Sequence, residues 1–508
     1  MKIQALTSSS LKPLVLLAIF ACNGKSSQDD SGQKTNDSGS IETGETATET
    51  AIETGTETGE TGEVVNRPFP LLMAKNGRFF DADDGEVILR GVNIGGNSKV
   101  PDFLPLNDLS DLNPLPAWGI NVIRLLFTWE AYEPEQGNFN EEYLAELTRI
   151  ADAAGDLGIR VIIDIHQDGY ARFLANGCGD GFPQWTIPSN LSLDTPDNGE
   201  ACAAWPVLVL GDPDVHSAFS EFFADTFGVR TQYLQLMESL ASHFSTHPAV
   251  IGYDLLNEPW GWEATEISPL YEDAAAVIRK VHPESILWIE GHASTNNGIT
   301  QTLLTKPTFA NVVYAPHFYE AAVLGTHIWS GLPQGVEFGF ETMTSKAQEW
   351  NVPLFVGEFG THGDTVNAKD YLELHYDQLD KHLASGTQWN YTPKWNDQDK
   401  DGWNREDLSI VDSQGGLRDN FTTRPQPRRF AGTGLEFKAD PEEVLIRWNN
   451  DPAAGETVFF LPAPTLWSTT NPQLTAEGTN LICTYTLADW TVRCESDQSG
   501  EMKVTAKP

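Results

Sequence analysis

Glu258 closes the run Tyr253-Asp254-Leu255-Leu256-Asn257 just before Pro259, and Glu358 closes Phe355-Val356-Gly357 just before Phe359-Gly360. Each run has the short, apolar character of a strand buried on both faces. If both strands belong to one (β/α)8 barrel, the two carboxyl groups emerge at its C-terminal rim, the face on which such barrels do chemistry. Two carboxyls at one rim can share the cleavage of a glycosidic bond. One stays protonated to release the leaving oxygen, and the other stays ionised to attack, so their neighbours must push their pKa values apart.

Other polar residues close similar runs. Arg124 interrupts Val122-Ile123-Arg124-Leu125-Leu126-Phe127. A buried guanidinium needs a carboxylate partner, and Glu358 is the one expected. His166, Gln167 and Asp168 end another run, and three polar residues together favour a site over ordinary rim positions. Asn257 directly precedes Glu258, so their side chains point opposite ways unless a bulge or turn begins there. Asn257 is then placed to bond a sugar hydroxyl. His317 and Tyr319 lie two apart on one face, suited to orienting an acid and holding a nucleophilic carboxylate. A core histidine and a packing tyrosine are the plain alternative. Trp389 on the last run offers a platform for a sugar ring, although a lone strand tryptophan is as readily core.

Positioning these residues requires the elements between them. Apolar runs occur at residues 87–93, 122–128, 161–167, 250–258, 285–291, 312–319, 354–359 and 387–392. Amphipathic stretches separate them, such as residues 141–157 (Tyr143, Leu144, Leu147, Ile150 and Ala151 at helical spacing) and 233–244. The pattern predicts an α/β fold, a (β/α)8 TIM barrel over residues 67–431, and no glycine-rich phosphate loop marks an open doubly wound sheet instead. From 432 to 508 short β-prone runs at 444–448, 457–461, 481–487 and 491–495 predict a C-terminal β-sandwich domain.

The chain of 508 residues has room for both. Its net charge of −40 argues against nucleic-acid partners and against attraction to anionic lipid surfaces. Residues 1–22 read as a lipoprotein-type signal peptide: Lys2 and Lys12 precede the apolar run from Pro13 to Ala21, too short to span a bilayer, which meets Cys22. Cys22 is the candidate lipidated residue, with simple secretion as the alternative. Both place the protein outside the cytoplasm, in the cell envelope or beyond. Residues 23–66, rich in Thr, Glu, Gly and Ser, predict a disordered tether. Four cysteines remain. In an exported chain proximity favours disulfides Cys178–Cys202 and Cys483–Cys494 over the two other pairings, with free buried thiols as the alternative.

Arg124, His166, Asn257-Glu258, His317, Tyr319, Glu358 and Trp389, in this order at successive strand ends, resemble the signature of glycoside hydrolase family 5, a family of retaining (β/α)8 enzymes, over roughly residues 70–430. That resemblance implies Glu258 as general acid/base and Glu358 as nucleophile. Arg90-Gly91-Val92-Asn93 with Ser98-Lys99-Val100, the run Asp164 to Arg172, Gly179-Asp180-Gly181-Phe182-Pro183-Gln184-Trp185, and Trp403-Asn404-Arg405-Glu406-Asp407-Leu408-Ser409 are similar to endoglycoceramidases. These cut the β-glucosidic bond between glycan and ceramide, and they carry a C-terminal β-sandwich. The resemblance implies Lys99, His166, Asp168 and Asn257 on sugar hydroxyls, and Trp185 and Trp389 lining the glycan pocket. Segments 186–213 and 389–396 depart from that pattern.

The functions so implied are an endoglycoceramidase-like retaining endo-β-glycosidase, an endo-β-glucanase sharing every catalytic residue, or a non-catalytic glycan-binding surface protein. Phe182, Trp260, Trp262, Trp329 and Leu332 are the candidates for meeting a lipid chain. The expected molecule is a monomer that needs no cofactor. Asp397, Asp399 and Asp401 match the first half of a calcium loop, but Leu408 stands where the closing Glu belongs.

Overall fold

A computed structural model describes residues 70–508. The expected signal peptide, Cys22 and the whole of the expected tether lie outside the described residues.

Eight parallel strands form one sheet: β1 Arg90–Ile94, β2 Val122–Thr128, β3 Arg160–His166, β4 Val250–Asp254, β5 Ile286–Ile289, β6 Val312–Tyr314, β7 Phe355–Val356 and β8 Ser385–Tyr391. Their order is β7-β8-β1-β2-β3-β4-β5-β6. A parallel bridge between Tyr314 and Leu354 joins β6 back to β7 and closes the barrel. The predicted helices appear as Glu141–Asp156 and Val229–Phe244. Asn140 caps the first, accepting a bond from the Tyr143 amide, with Glu141 and Glu142 in its first turn.

Several strands are shorter than their apolar runs at the C-terminal end. β4 stops at Asp254 and β7 at Val356, so Glu258 and Glu358 stand just beyond the paired backbone. Within the strands the period of two stacks the interior in layers. Val122, Ile162 and Trp288 pack in an apolar floor with Phe79 and Phe355. Two residues further along the same strands come Arg124, Asp164 and Glu290, all buried. An apolar lower half thus supports an ionic middle layer beneath the rim.

The C-terminal region is two facing antiparallel layers around Ile446, Trp448, Phe459, Val492 and Val504. One layer is a four-stranded sheet, Gly432–Asp440, Glu443–Asn450, Gly500–Lys507 and Gln473–Glu477. The other contains Thr457–Phe460, Thr491–Glu495 and Ile482–Thr486. It continues through Gln426–Phe430 into the N-terminal strands Glu86–Val87, Arg78–Phe80 and Met73–Lys75. One sheet therefore crosses from the first described strands into the chain's last region, and residues 70–508 belong to one compact unit. Cys483 and Cys494 face each other across paired strands and are bonded, as are Cys178 and Cys202.

Candidate active site

Arg124 sits in register with Asn93 of β1, and its side chain is fully buried in the middle layer. A guanidinium carries five N–H donors, and all five are used. Nε donates to Asp254 (2.9 Å), Nη1 to Asn93 (3.1 Å) and Glu358 (2.9 Å), and Nη2 to Asp164 (2.8 Å) and Asn257 (2.9 Å). The expected Glu358 partner is present, but it is one of several carboxylates around this cation. Asp164, Asp254 and Asn93 escaped the sequence reading of the site. The signal was there: an acidic residue inside an otherwise apolar strand run implies a buried cation nearby.

Glu358 accepts from Arg124 on Oε1 and from the Tyr319 hydroxyl on Oε2 (3.0 Å), so both of its oxygens are fixed. Glu258 has a backbone φ of 38°, a left-handed conformation that a side chain rarely adopts. Gln167 holds that turn, its Nε2 donating to the carbonyls of both Asn257 (2.6 Å) and Glu258 (3.0 Å). The turn is what releases Glu258 from strand alternation. Asn257 points to Arg124 and the Gln167 carbonyl, while Glu258 reaches His317 Nδ1 at 2.8 Å.

The His317 ring is buried, and burial pushes its pKa down to about 4, so it is neutral. A Cβ added to Gly357 would lie 2.9 Å from His317 Nε2, so only glycine leaves room for the ring beside Glu358. Burial raises the Glu258 carboxyl to about 7, and the nearby Asp168 charge adds to the shift. A carboxyl that holds its proton near neutrality suits a general acid. One oxygen of Glu258 and one of Glu358 lie within 4.8 Å of each other. That separation is in keeping with the close spacing of a retaining pair, about 5–5.5 Å.

A second group stands beside this pair. Lys99 is buried, with Nζ 2.5 Å from Asp168 and lying over the rings of Trp403 (3.9 Å) and Trp389 (4.4 Å). His166 stacks on Trp389 with ring centres 5.6 Å apart and bonds Asp164 through Nδ1 (2.7 Å). Burial works against an imidazolium there, yet Asp164 and Asp168 together outweigh it and lift the pKa to about 10. Burial likewise opposes charge on Asp168, but Lys99 and His166 hold that carboxyl well below its usual range. Glu406 accepts from the indoles of Trp205 (3.1 Å) and Trp389 (3.3 Å), and burial raises it to about 7 against the pull of Lys99.

Trp205, Trp403 and Glu406 were not picked out from sequence as site residues. Trp205 lies in the departing segment 186–213, which the Cys178–Cys202 disulfide ties back to the rim. Asn198 from that segment donates to the Gly402 carbonyl (2.7 Å). Trp185 packs edge-on against Trp129 (5.3 Å) and donates to the Glu133 carbonyl (2.9 Å).

Asp401 is buried, and its carboxylate accepts from Asn390 (3.1 Å) and from the amides of Leu408 (2.7 Å) and Ser409 (3.1 Å). Asp397 reaches toward Lys400 instead (4.0 Å). Among the described residues, the groups of three that bring ligand atoms together are His166, Asp168, Asp180 and Glu258, His317, Glu358. The carboxylates of Asp397, Asp399 and Asp401 are not brought together as such a group. Phe182 is fully buried among Trp129, Tyr170 and Phe222 and meets no ligand. Of the other apolar candidates, Trp260 packs on His216 and His292 and Trp329 on Tyr371, whereas Trp262 (77% exposed) and Leu332 (64%) face solvent.

A closed parallel barrel with two carboxyls at its rim is the architecture of a glycoside hydrolase. Residues 80–395 match the family model described as cellulase (glycosyl hydrolase family 5). The chain belongs to glycosyl hydrolase family 5. Endoglycoceramidase I of Rhodococcus hoagii is 27% identical over 328 residues, covering 59% of this chain and 64% of that protein. An endoglycoceramidase of Cyanea nozakii is 27% identical over 371 residues, covering 65% and 70%. The chain thus spans roughly two thirds of the length of these curated relatives. The solved structure of endo-glycoceramidase II from Rhodococcus sp. in complex with ganglioside GM3 shares the fold at a TM-score of 0.72. It is 23% identical, and the match covers 84% of this chain and 98% of that one.

Proposed function

We propose that this protein is a retaining endo-β-glycosidase that separates the glycan of a glycosphingolipid from its ceramide. The observation that carries the mechanism is the pair Glu258 and Glu358, with oxygens within 4.8 Å and unlike surroundings. Glu358, fixed by Arg124 and Tyr319, attacks the anomeric carbon as Glu258 gives its proton to the leaving oxygen. Glu258, now ionised, then takes a proton from water, which attacks the glycosyl-enzyme and restores Glu358. Lys99, Asp168, His166 and Trp389 hold the sugar, the cation supplying donors and the indole an apolar face.

The lipid assignment rests on the relatives and on the loops beyond the rim. Trp262 follows β4, Ile299 and Leu303 follow β5, Leu332 follows β6 and Val366 follows β7, and all are exposed. Glu263 ties two of these loops together. It accepts from the His292 amide (2.9 Å), the Thr302 hydroxyl (2.5 Å) and the Leu303 amide. Large apolar side chains held out on four successive loops suit an acyl or sphingoid chain better than a polysaccharide.

The test is release of ceramide and intact glycan from a lactosylceramide-type lipid by the full-length chain, with Glu358→Gln as control. Release that the control lacks supports the assignment. Cleavage of a soluble β-glucan with no ceramide release replaces it with the endo-β-glucanase reading. We also propose export and lipid attachment at Cys22, which incorporation of labelled fatty acid, abolished in Cys22→Ser, would establish. The described residues contain no helix long and apolar enough to cross a membrane.

A further inference from the structure

Glu290 directly follows β5 and is fully buried close to the catalytic pair. Its two oxygens and His317 Nε2 are buried polar atoms without a hydrogen-bond partner, and Oε2 lies 3.5 Å from that nitrogen. Arg124 Nη2 is 3.6 Å from Oε1, but its hydrogens are committed to Asp164 and Asn257, so it has none to give Glu290. Asp254, Glu258 and Glu358 also face Glu290, and acidic neighbours on three sides make a further negative charge at this point costly. A single proton placed between Glu290 Oε2 and His317 Nε2 gives these two orphaned atoms each other as partners.

We propose that Glu290 is a positioning residue: as a neutral carboxylic acid it donates to His317 Nε2 and so fixes the tautomer of His317 that carries its proton on Nδ1. Burial, with Asp254 adding to it, keeps the Glu290 carboxyl well above its ordinary range, in agreement with that protonation state.

The consequence concerns where Glu258 carries its proton. With Nδ1–H pointing at Glu258 Oε1, that oxygen accepts, and the acidic proton resides on Oε2, free for the leaving group. In the other tautomer a bare Nδ1 would take the Glu258 proton as its own hydrogen bond and turn the acid away from the substrate. A neutral acid buried two bonds from the chemistry thus aims the proton that does the chemistry. This rests on the proposed role of Glu258 as acid/base.

Nitrogen-15 NMR of the His317 ring in the full-length protein reads the tautomer directly. The expected result is a protonated Nδ1 in the wild type and in Glu290→Gln, whose amide N–H replaces the acid as donor. A protonated Nε2 in the wild type overturns the proposal. Kinetics supply the second arm. Glu290→Leu should lose about tenfold or more in kcat/KM on a glycoside with an alkyl leaving group. An activated aryl glycoside, which needs little protonation, should fall by less than about threefold, and Glu290→Gln should recover most of the loss. Equal losses on both substrates, or a Gln variant as poor as Leu, would make the role structural and sink the idea. If instead Glu258→Gln cleaves both substrates like the wild type, the acid/base reading fails, while the NMR result still decides the tautomer.

Discussion

Arg124 and Lys99 are both buried cations at the same end of the barrel, and the protein surrounds them differently. Arg124 spends all five hydrogens on protein acceptors from β1, β3, β4, β7 and the turn before Glu258. Lys99 has three hydrogens, and among the described residues its ammonium makes one hydrogen bond, to Asp168, with indole faces for walls. A saturated cation is scaffold: it fixes the nucleophile and has nothing left for a ligand. An unsaturated one in an aromatic box retains donors for a sugar hydroxyl. The rigid, planar guanidinium suits the first task and the flexible point charge the second.

The sharpest way to break this contrast separates chemistry from scaffold. Glu358→Gln should lower turnover on the order of 10⁴-fold or more while the unfolding midpoint in urea hardly moves, because the Gln oxygen still accepts from Arg124 and its amide N–H can donate to the Tyr319 oxygen. Arg124→Met should cost about 3–5 kcal/mol in the same urea titration, since Asp164, Asp254 and Glu358 lose their shared counter-charge. If Arg124→Met is as stable as the wild type, the scaffold assignment is wrong.

Glu258→Gln comes next, with an expected loss of about 10²–10⁴-fold on alkyl leaving groups and far less on activated aryl glycosides. The acid works protonated, so wild-type kcat/KM should fall as pH rises through about 7, and that limb should vanish in the variant. A pH limb unchanged in Glu258→Gln would assign it to another group, Glu406 being the first alternative.

Lys99→Met should weaken kcat/KM by about 10–100-fold, the worth of a charge-assisted hydrogen bond, with less effect on stability than Arg124→Met. A stability loss matching Arg124→Met would erase the distinction between the two cations. The smallest effect is expected at the apolar loops. Trp262→Ser should reduce activity on a lipid glycoside in vesicles by a few-fold and leave a soluble aryl glycoside untouched, a comparison that initial rates on the two substrates would settle.

Much of the barrel is legible in the chain because parallel strands buried on both faces must be continuous apolar runs. β2, residues 122–128, coincides with its run from end to end. The runs at 250–258 and 312–319 overshoot their strands, since apolar character persists after the ladder stops. Arg124 in the middle layer and the rim residues at 257, 258, 317, 319 and 358 were readable because a polar group in such a run has few structural uses. Asp164, Asp254 and Glu290 carried the same signal more faintly, as middle-layer residues without a rim position. Trp205 and Glu406 gave no such signal: they sit in loops whose apposition depends on the Cys178–Cys202 link and on contacts such as Asn198 to Gly402.

The sequence by itself therefore determined the alternation of strands and helices, the two carboxyl groups and the polar residues that flank them, because local periodicity and the cost of burying charge act residue by residue. Tertiary structure alone decided which partner each charge has. It made Arg124 common to several carboxylates, turned Glu258 toward His317 through a left-handed backbone, and left Glu290 without a donor. Those outcomes depend on distances between strands far apart in sequence, where hydrogen-bond geometry and shared charge, rather than residue type, fix the protonation states.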